Sequence, residues 1–423
     1  MSIIFISKAT LATSGDSVDV TVDNGIIRSV RPVGSSTAPS GATLIDAQGA
    51  LLLPGLFDLH THLGYPGQDL QQAVAQAAAS ALQGGVTGLQ AMPDCSPVLD
   101  HSAQIKVLNE VCREQGNITI VPTGCITKGT QGEEQVPYDS LRAQGVRFVT
   151  DGVHVPSNTL LLYRAMQYAA PLGITFALRG DVPELTSKGV MHPSSTSYKL
   201  GLHGLPACAE EIGIESMIRL AEATEARLHV QTVSTAEGAQ SIRRWKTRRS
   251  ELSAEVALHH LIFTHENVGD YDTTFKTLPP LRERADVAAL QEALTDGTID
   301  CIVSDHTPVT PFSKLQDFCV APQGMLALDT YLPALYTYLV KTGVLDWKQL
   351  IVLCSTNPRR LMNLQEVTLT EGSTADFVLF DPNKTFEITA DSLKSRTLNS
   401  PFLGKSLNGR VLVTYTKGQL FQF

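Results

Sequence analysis

A chain of 423 residues with 43% hydrophobic and 18% charged content can bury a sizeable core, which excludes disorder and collagen-like repeats. Its formal net charge of −9 argues against nucleic acid as a bulk partner, and no run reaches the roughly 18 uninterrupted apolar residues of a membrane span. At roughly 150 residues per domain, the length allows about three domains, or one large α/β domain with a small companion.

The start, MSIIFISKATLATSG, has neither a basic region nor a small-residue cleavage site after a long apolar run, so no secretory leader is expected. In SVDVTVDNGIIRSVRPV, Val18, Val20 and Val22 alternate with polar residues, and Asn24-Gly25 predicts a hairpin into Ile26, Ile27 and Val30. From about residue 54 to 365, short apolar runs alternate with helical segments such as QQAVAQAAASALQGG and ESMIRLAEATEA. The runs include TGLQAM (87–92), NITIVP (117–122), VRFVTD (146–151), ITFALR (174–179), LHVQTV (228–233) and DCIVSD (300–305). Such alternation predicts a parallel sheet or a (β/α)8 barrel. The far end returns to strands, in ADFVLFD (375–381) and GRVLVTYTKGQLFQF (409–423). Two domains are expected: a β-sandwich built from residues 1–53 plus 366–423, and the α/β domain over 54–365. The seven cysteines (95, 112, 125, 208, 301, 319 and 354) are scattered and odd in number. They read as free thiols in a reducing compartment, and the expected location is cytoplasmic.

The sharpest chemical signal is PGLFDLHTHLGYPG, where His60 and His62 end an apolar run. On a strand, residues two apart share a face, so both imidazoles would project into the mouth of a barrel, where such folds carry their sites. Paired imidazoles suit zinc, although a His-x-His pair also arises by chance on strand surfaces. TIDCIVSDHTP adds Asp305 past a late strand, positioned to ligate a metal and to take a proton; the plainer role is a helix N-cap. Asp151, before Gly152, ends a middle strand and can complete a ligand set, or simply form an Asp-Gly turn. The basic segment SIRRWKTRRSE reads as a solvated helix face, His259-His260 as structural, and Cys95 as an unreactive thiol for want of a nearby base.

Taken in order, PGLFDLHTHL, GGVTGLQAMPDCSPVLD, GLHGLPACAE, AEVALHHL, FKTLPPLR, DGTIDCIVSDHTP and ADFVLFD resemble the dihydroorotases of the amidohydrolase superfamily. The resemblance runs through NSPFLG (399–404) and so covers nearly the whole chain. It implies a (β/α)8 TIM-type barrel with a small β-sandwich from both chain ends. It also implies hydrolysis or closure of the dihydroorotate ring in pyrimidine synthesis, with one or two zinc ions and a proton-shuttling aspartate. Carried across, His60, His62, Asp151 and Asp305 match one metal site, with Asp305 as general base. The second metal lacks ligands, because Leu178 and Thr232 stand where the family has histidines. One zinc and no organic cofactor are therefore expected.

The family's substrate-binding positions also differ. The arginine of HLREPG is Gly64, the asparagine of MPNTNP is Asp94, the asparagine before PPLR is Leu278 and the last histidine of DHAPH is Val309. An acid at position 94 would repel an anionic substrate. These losses favour a degenerate, non-catalytic dihydroorotase homologue acting as a scaffold for aspartate transcarbamoylase, a reading that explains why substrate and second-metal groups are absent together. The alternative is a mononuclear zinc hydrolase of a cyclic amide that uses Asp305. A homodimer is the family-level expectation.

Overall fold

The computed structural model describes residues 3–65, 67–186, 189–249, 251–310 and 312–423. The N-terminal strands are β1 (Ile3–Leu11), β2 (Ser17–Asp23), β3 (Ile26–Pro32), β4 (Thr43–Asp46) and β5 (Leu51–Pro54). The predicted hairpin is present: Asn24 and Gly25 both take positive φ (49° and 78°), and β2 pairs antiparallel with β3. At the other end of the chain lie strands Phe377–Glu387, Ser406–Thr416 and Gln419–Gln422. Phe377–Glu387 pairs with β5, so both ends join in one eight-stranded sheet. Its alternate residues, including Ile6, Val20, Val22, Phe377 and Tyr415, form an apolar cluster of their own.

Eight parallel strands lie between: β6 (Leu56–Thr61), β7 (Val86–Ala91), β8 (Thr119–Pro122), β9 (Phe148–Val149), β10 (Thr175–Arg179), β11 (Arg227–Gln231), β12 (Leu252–Ala257) and β13 (Cys301–Val303). The six apolar runs read from the sequence all fall on these strands. Strands β6 to β8 form one ladder and β9 to β13 another. Parallel bridges Gly124–Val149 and Thr61–His306 join the two ladders and close a (β/α)8 barrel. Phe57, Leu59, Phe148, Ala177, Ala257, Cys301 and Val303 fill its interior, as side-chain layers do in this architecture. The larger core lies between the strands and the surrounding helices. No helix among the described residues is long and apolar enough to cross a membrane.

The basic segment lies on helix Ala236–Lys246 and at its end. Arg243 pairs with Asp296, Arg244 with Glu215 and Lys246 with Asp300, while Trp245 is buried beneath Arg219. Its charges are used by neighbouring elements of the same chain.

One buried arginine links the layers. Arg359 donates from Nη1 to Gly55 O and Ser355 Oγ (both 2.8 Å) and from Nη2 to Thr87 Oγ1 (3.0 Å). It also lies 3.9 Å from the Asp376 carboxylate, just before the C-terminal strands. Removing one member of a buried charge pair leaves the other uncompensated. Arg359→Ala is therefore expected to lower the unfolding free energy by about 3–5 kcal/mol in urea titration; an unchanged midpoint and slope would contradict this linkage.

Candidate metal centre

The centre begins with how two strand ends are tied. Asp58 on β6 accepts hydrogen bonds from Ser304 N (2.8 Å), Ser304 Oγ (2.6 Å) and Thr61 Oγ1 (2.5 Å). His62 N donates to His306 O at 2.9 Å. These bonds hold the exit of β13 against the exit of β6. Asp305 lies between them with φ +48°, a backbone region that non-glycine residues seldom occupy outside special sites. The register of β6 on β7 shifts between Asp58 and Thr61, so the two histidines reach the mouth from an irregular strand end.

His60, His62 and Asp305 converge, with one ligand atom from each within 4.8 Å of the others. Asp305 Oδ1 is 3.6 Å from His60 Nε2 and 3.7 Å from His62 Nε2. Ligand atoms held about 2.0–2.2 Å from zinc in a tetrahedral arrangement lie somewhat over 3 Å apart, so the three groups fit that ion. Each imidazole is fixed through its other nitrogen. Glu255 Oε1 meets His60 Nδ1 and Asp94 Oδ2 meets His62 Nδ1, both at 2.6 Å. Carboxylates on the far nitrogen of ligating histidines orient the ring and raise its basicity.

The electrostatics favour positive charge at this point. Burial works against a charged His62, but the Asp94 charge and the bonds to Asp305 and Asp94 outweigh it and raise its pKa to about 10. His60 is raised as well, with Glu255 overcoming burial. Burial pushes Glu255 upward, yet His60 and His229 bring it down to about 2. Asp305 is likewise desolvated, but His62, His60 and His259 hold it well below the usual carboxylate range. Three carboxylates around two imidazoles make a centre whose negative charge a divalent cation would largely offset.

The remaining expected residues divide. Asp151 is buried, but its carboxylate accepts from Ile126 N (2.8 Å), Thr127 N (3.0 Å) and the Thr127 hydroxyl (2.5 Å). Of the four expected ligands, His60, His62 and Asp305 are brought together among the described residues, while the Asp151 carboxylate is engaged with the segment after β8. Asp94 is also reassigned: its carboxylate faces His62. Gly64 has φ +72°, and a Cβ there would lie 2.5 Å from Gln68 Oε1 and 2.8 Å from Ala73 Cβ. The backbone at 64 therefore has no room for a side chain. Thr232 is buried at the end of β11, Val309 is buried and Leu278 half-buried. Leu178 faces outward, lining a cavity with Leu162, Met217 and Leu220 of the outer helices.

Three participants were not anticipated. Glu255 is fully buried and bridges His60 and His229 (3.0 Å to Nε2). Its signal was a lone acid inside the apolar run LSAEVA, which needs a cationic partner when buried. His259 is buried, neither ring nitrogen has a hydrogen-bond partner, and its Nε2 lies 3.7 Å from Asp305 Oδ2. It belongs to the site, whereas His260 bonds to Pro279 O (3.2 Å) and is structural as expected. Arg179 is the third. Cys95 is buried, and desolvation, reinforced by the Asp94 charge, pushes its thiol up to about 12, consistent with an unreactive residue.

An eight-stranded parallel barrel with two imidazoles and an aspartate at its mouth defines a hydrolase-type class, and comparison narrows it. Residues 51–421 match the amidohydrolase family. A dihydroorotase from Geobacter sp. (strain M21) is 37% identical over 403 residues, covering 95% of this chain and 94% of that protein. A dihydroorotase from Pelotomaculum thermopropionicum is 38% identical over 400 residues, covering 94% and 92%. The L-hydantoinase (dihydropyrimidinase) structure from Arthrobacter aurescens superposes with a TM-score of 0.83 at 21% identity, covering 99% of this chain and 96% of that one. The chain belongs to the amidohydrolase family and, within it, to the dihydroorotase family.

Loss of either supporting carboxylate should be felt at the metal. Glu255→Gln and Asp94→Asn are each expected to weaken zinc binding about 10–100-fold in competition with a chromophoric chelator. Asp151→Asn should leave zinc affinity unchanged; a comparable loss there would restore it to the ligand set.

Proposed function

We propose that this protein is a single-zinc cyclic amide hydrolase that opens, or in reverse closes, the dihydroorotate ring in pyrimidine synthesis. The observation that carries this reading is the pair of carboxylate-supported imidazoles facing Asp305. A site without chemistry has no need for Glu255 and Asp94 to hold both Nε2 atoms toward one point. Zinc held by His60, His62 and Asp305 would supply Lewis acidity there. Asp305 is kept ionised by its histidine neighbours and acts as the proton carrier. It takes a proton from the attacking water as oxygen adds to the ring carbonyl carbon. It then delivers that proton to the ring nitrogen as the carbon–nitrogen bond breaks. His259, close to the second oxygen of Asp305, steadies the carboxylate between these steps.

A second reading keeps the fold and drops the chemistry: a non-catalytic subunit that supports aspartate transcarbamoylase, in a homodimer in the cytoplasm. Gly64, Leu278 and Val309 favour it, because none offers a charged or hydrogen-bonding side chain to an anionic substrate. The reassignment of Asp94 weighs against it, since that acid has a place beside His62.

Purified protein is expected to carry about one zinc per chain and to turn over dihydroorotate. His60→Ala should lose the metal, and Asp305→Ala should lower turnover by about 10²–10⁴-fold. Metal-free protein without turnover after zinc addition, which co-purifies with a transcarbamoylase chain, would establish the second reading instead.

A further inference from the structure

Arg179 ends β10, and strand register shows where it points. It pairs in parallel with Gln231, as Ala177 does with His229, and residues so paired project from the same face of a sheet. Ala177 lies in the barrel interior. His229 bonds to Glu255, and Gln231 Nε2 lies 3.5 Å from His60 Nδ1. Arg179 therefore points into the mouth, on the strand next to a side chain that touches the metal centre.

Its bonding there is incomplete. Arg179 is 6% exposed. Nη2 donates to Val153 O and to Asp181 Oδ2, both at 3.1 Å. Nε and Nη1 have no hydrogen-bond partner in the protein. A guanidinium keeps its charge when buried, and unpaired buried donors are costly. Asp181 already accepts from the Thr186 hydroxyl, so this acid only partly answers the arginine. Burial works against the charged Arg179, while the Asp181, Glu210 and Asp305 carboxylates act in its favour.

We propose that Arg179 is the oxyanion-binding group of this site, receiving negative charge as it develops on the attacked carbonyl oxygen and keeping it as the new carboxylate. The inference rests on the cyclic amide reading above. Addition of water to the ring carbonyl places charge on its oxygen, and cleavage of the carbon–nitrogen bond leaves a carboxylate at the same carbon. Fixed donors aimed at developing charge stabilise that change. Arg179 thus offers a positive charge beside a centre with only three convergent ligands.

The test compares two probes, dihydroorotate and its ring-opened acid N-carbamoylaspartate, which differ by the carboxylate that ring opening creates. Binding of each probe is read from initial rates on the zinc-loaded protein, with dihydroorotate and the open acid supplied separately, so that neither is appreciably converted into the other. Arg179→Met is expected to weaken the open acid by about tenfold or more while changing dihydroorotate much less. Arg179→Lys should recover part of the loss. If the Met variant does not fold, Arg179→Gln gives the same comparison with a donor retained. Equal weakening of both probes would assign Arg179 to the ring's existing carboxylate and overturn the proposal, as would no weakening of either. Selective loss on Arg396→Met would also overturn it, because Arg396 is an exposed cation beside His62 and Gly64. Wild-type protein that binds neither probe would remove the cyclic amide reading and this proposal together, whereas binding of both without Arg179 dependence removes this proposal alone.

Discussion

Two short imidazole–carboxylate contacts organise the mouth of this barrel. Glu255 holds His60 and Asp94 holds His62, each through Nδ1 at 2.6 Å. Both rings are thereby oriented with Nε2 toward Asp305. The acids come from elements far apart in sequence, β12 and the segment after β7, so the barrel must close before the centre exists. The clamp between Asp58 and Ser304 meets the same requirement from the other side, by fixing β13 against β6.

The arrangement changes what the sequence differences from related proteins mean. Asp94 looked like an obstacle to an anionic substrate, and it is a histidine partner. Gly64 looked like a deleted arginine, yet its backbone and neighbours leave no space for one. Such a change is built into the local fold, so restoring an arginine at 64 would also require moving Gln68 and Ala73. Positive charge near the mouth is carried by Arg179, on a different strand, and by the exposed Arg396 beside His62.

Much of the architecture was legible because its signals are local. Alternating valines with Asn-Gly marked the hairpin, and six apolar runs marked barrel strands. His-x-His and the aspartate after DCIVS marked the centre. The parts that were not legible depend on tertiary contacts. A buried glutamate in LSAEVA carries a need for a partner but does not name His60. Asp151 follows a strand just as Asp305 does, and only the fold directs one to a loop and the other to the histidines. Matching ITFALR to a motif drew attention to Leu178, but a shift of one residue on a strand reverses its face. The inward residue is Arg179.

The function proposed above implies one ion, held by two imidazole nitrogens and a carboxylate, with no second ion beside it. X-ray absorption spectroscopy on zinc-reconstituted protein tests this directly. The predicted spectrum has two imidazole nitrogens and oxygen scatterers at about 2.0–2.2 Å and no metal–metal feature. A zinc–zinc vector at about 3.5–4 Å, or a zinc shell without imidazole, would contradict it.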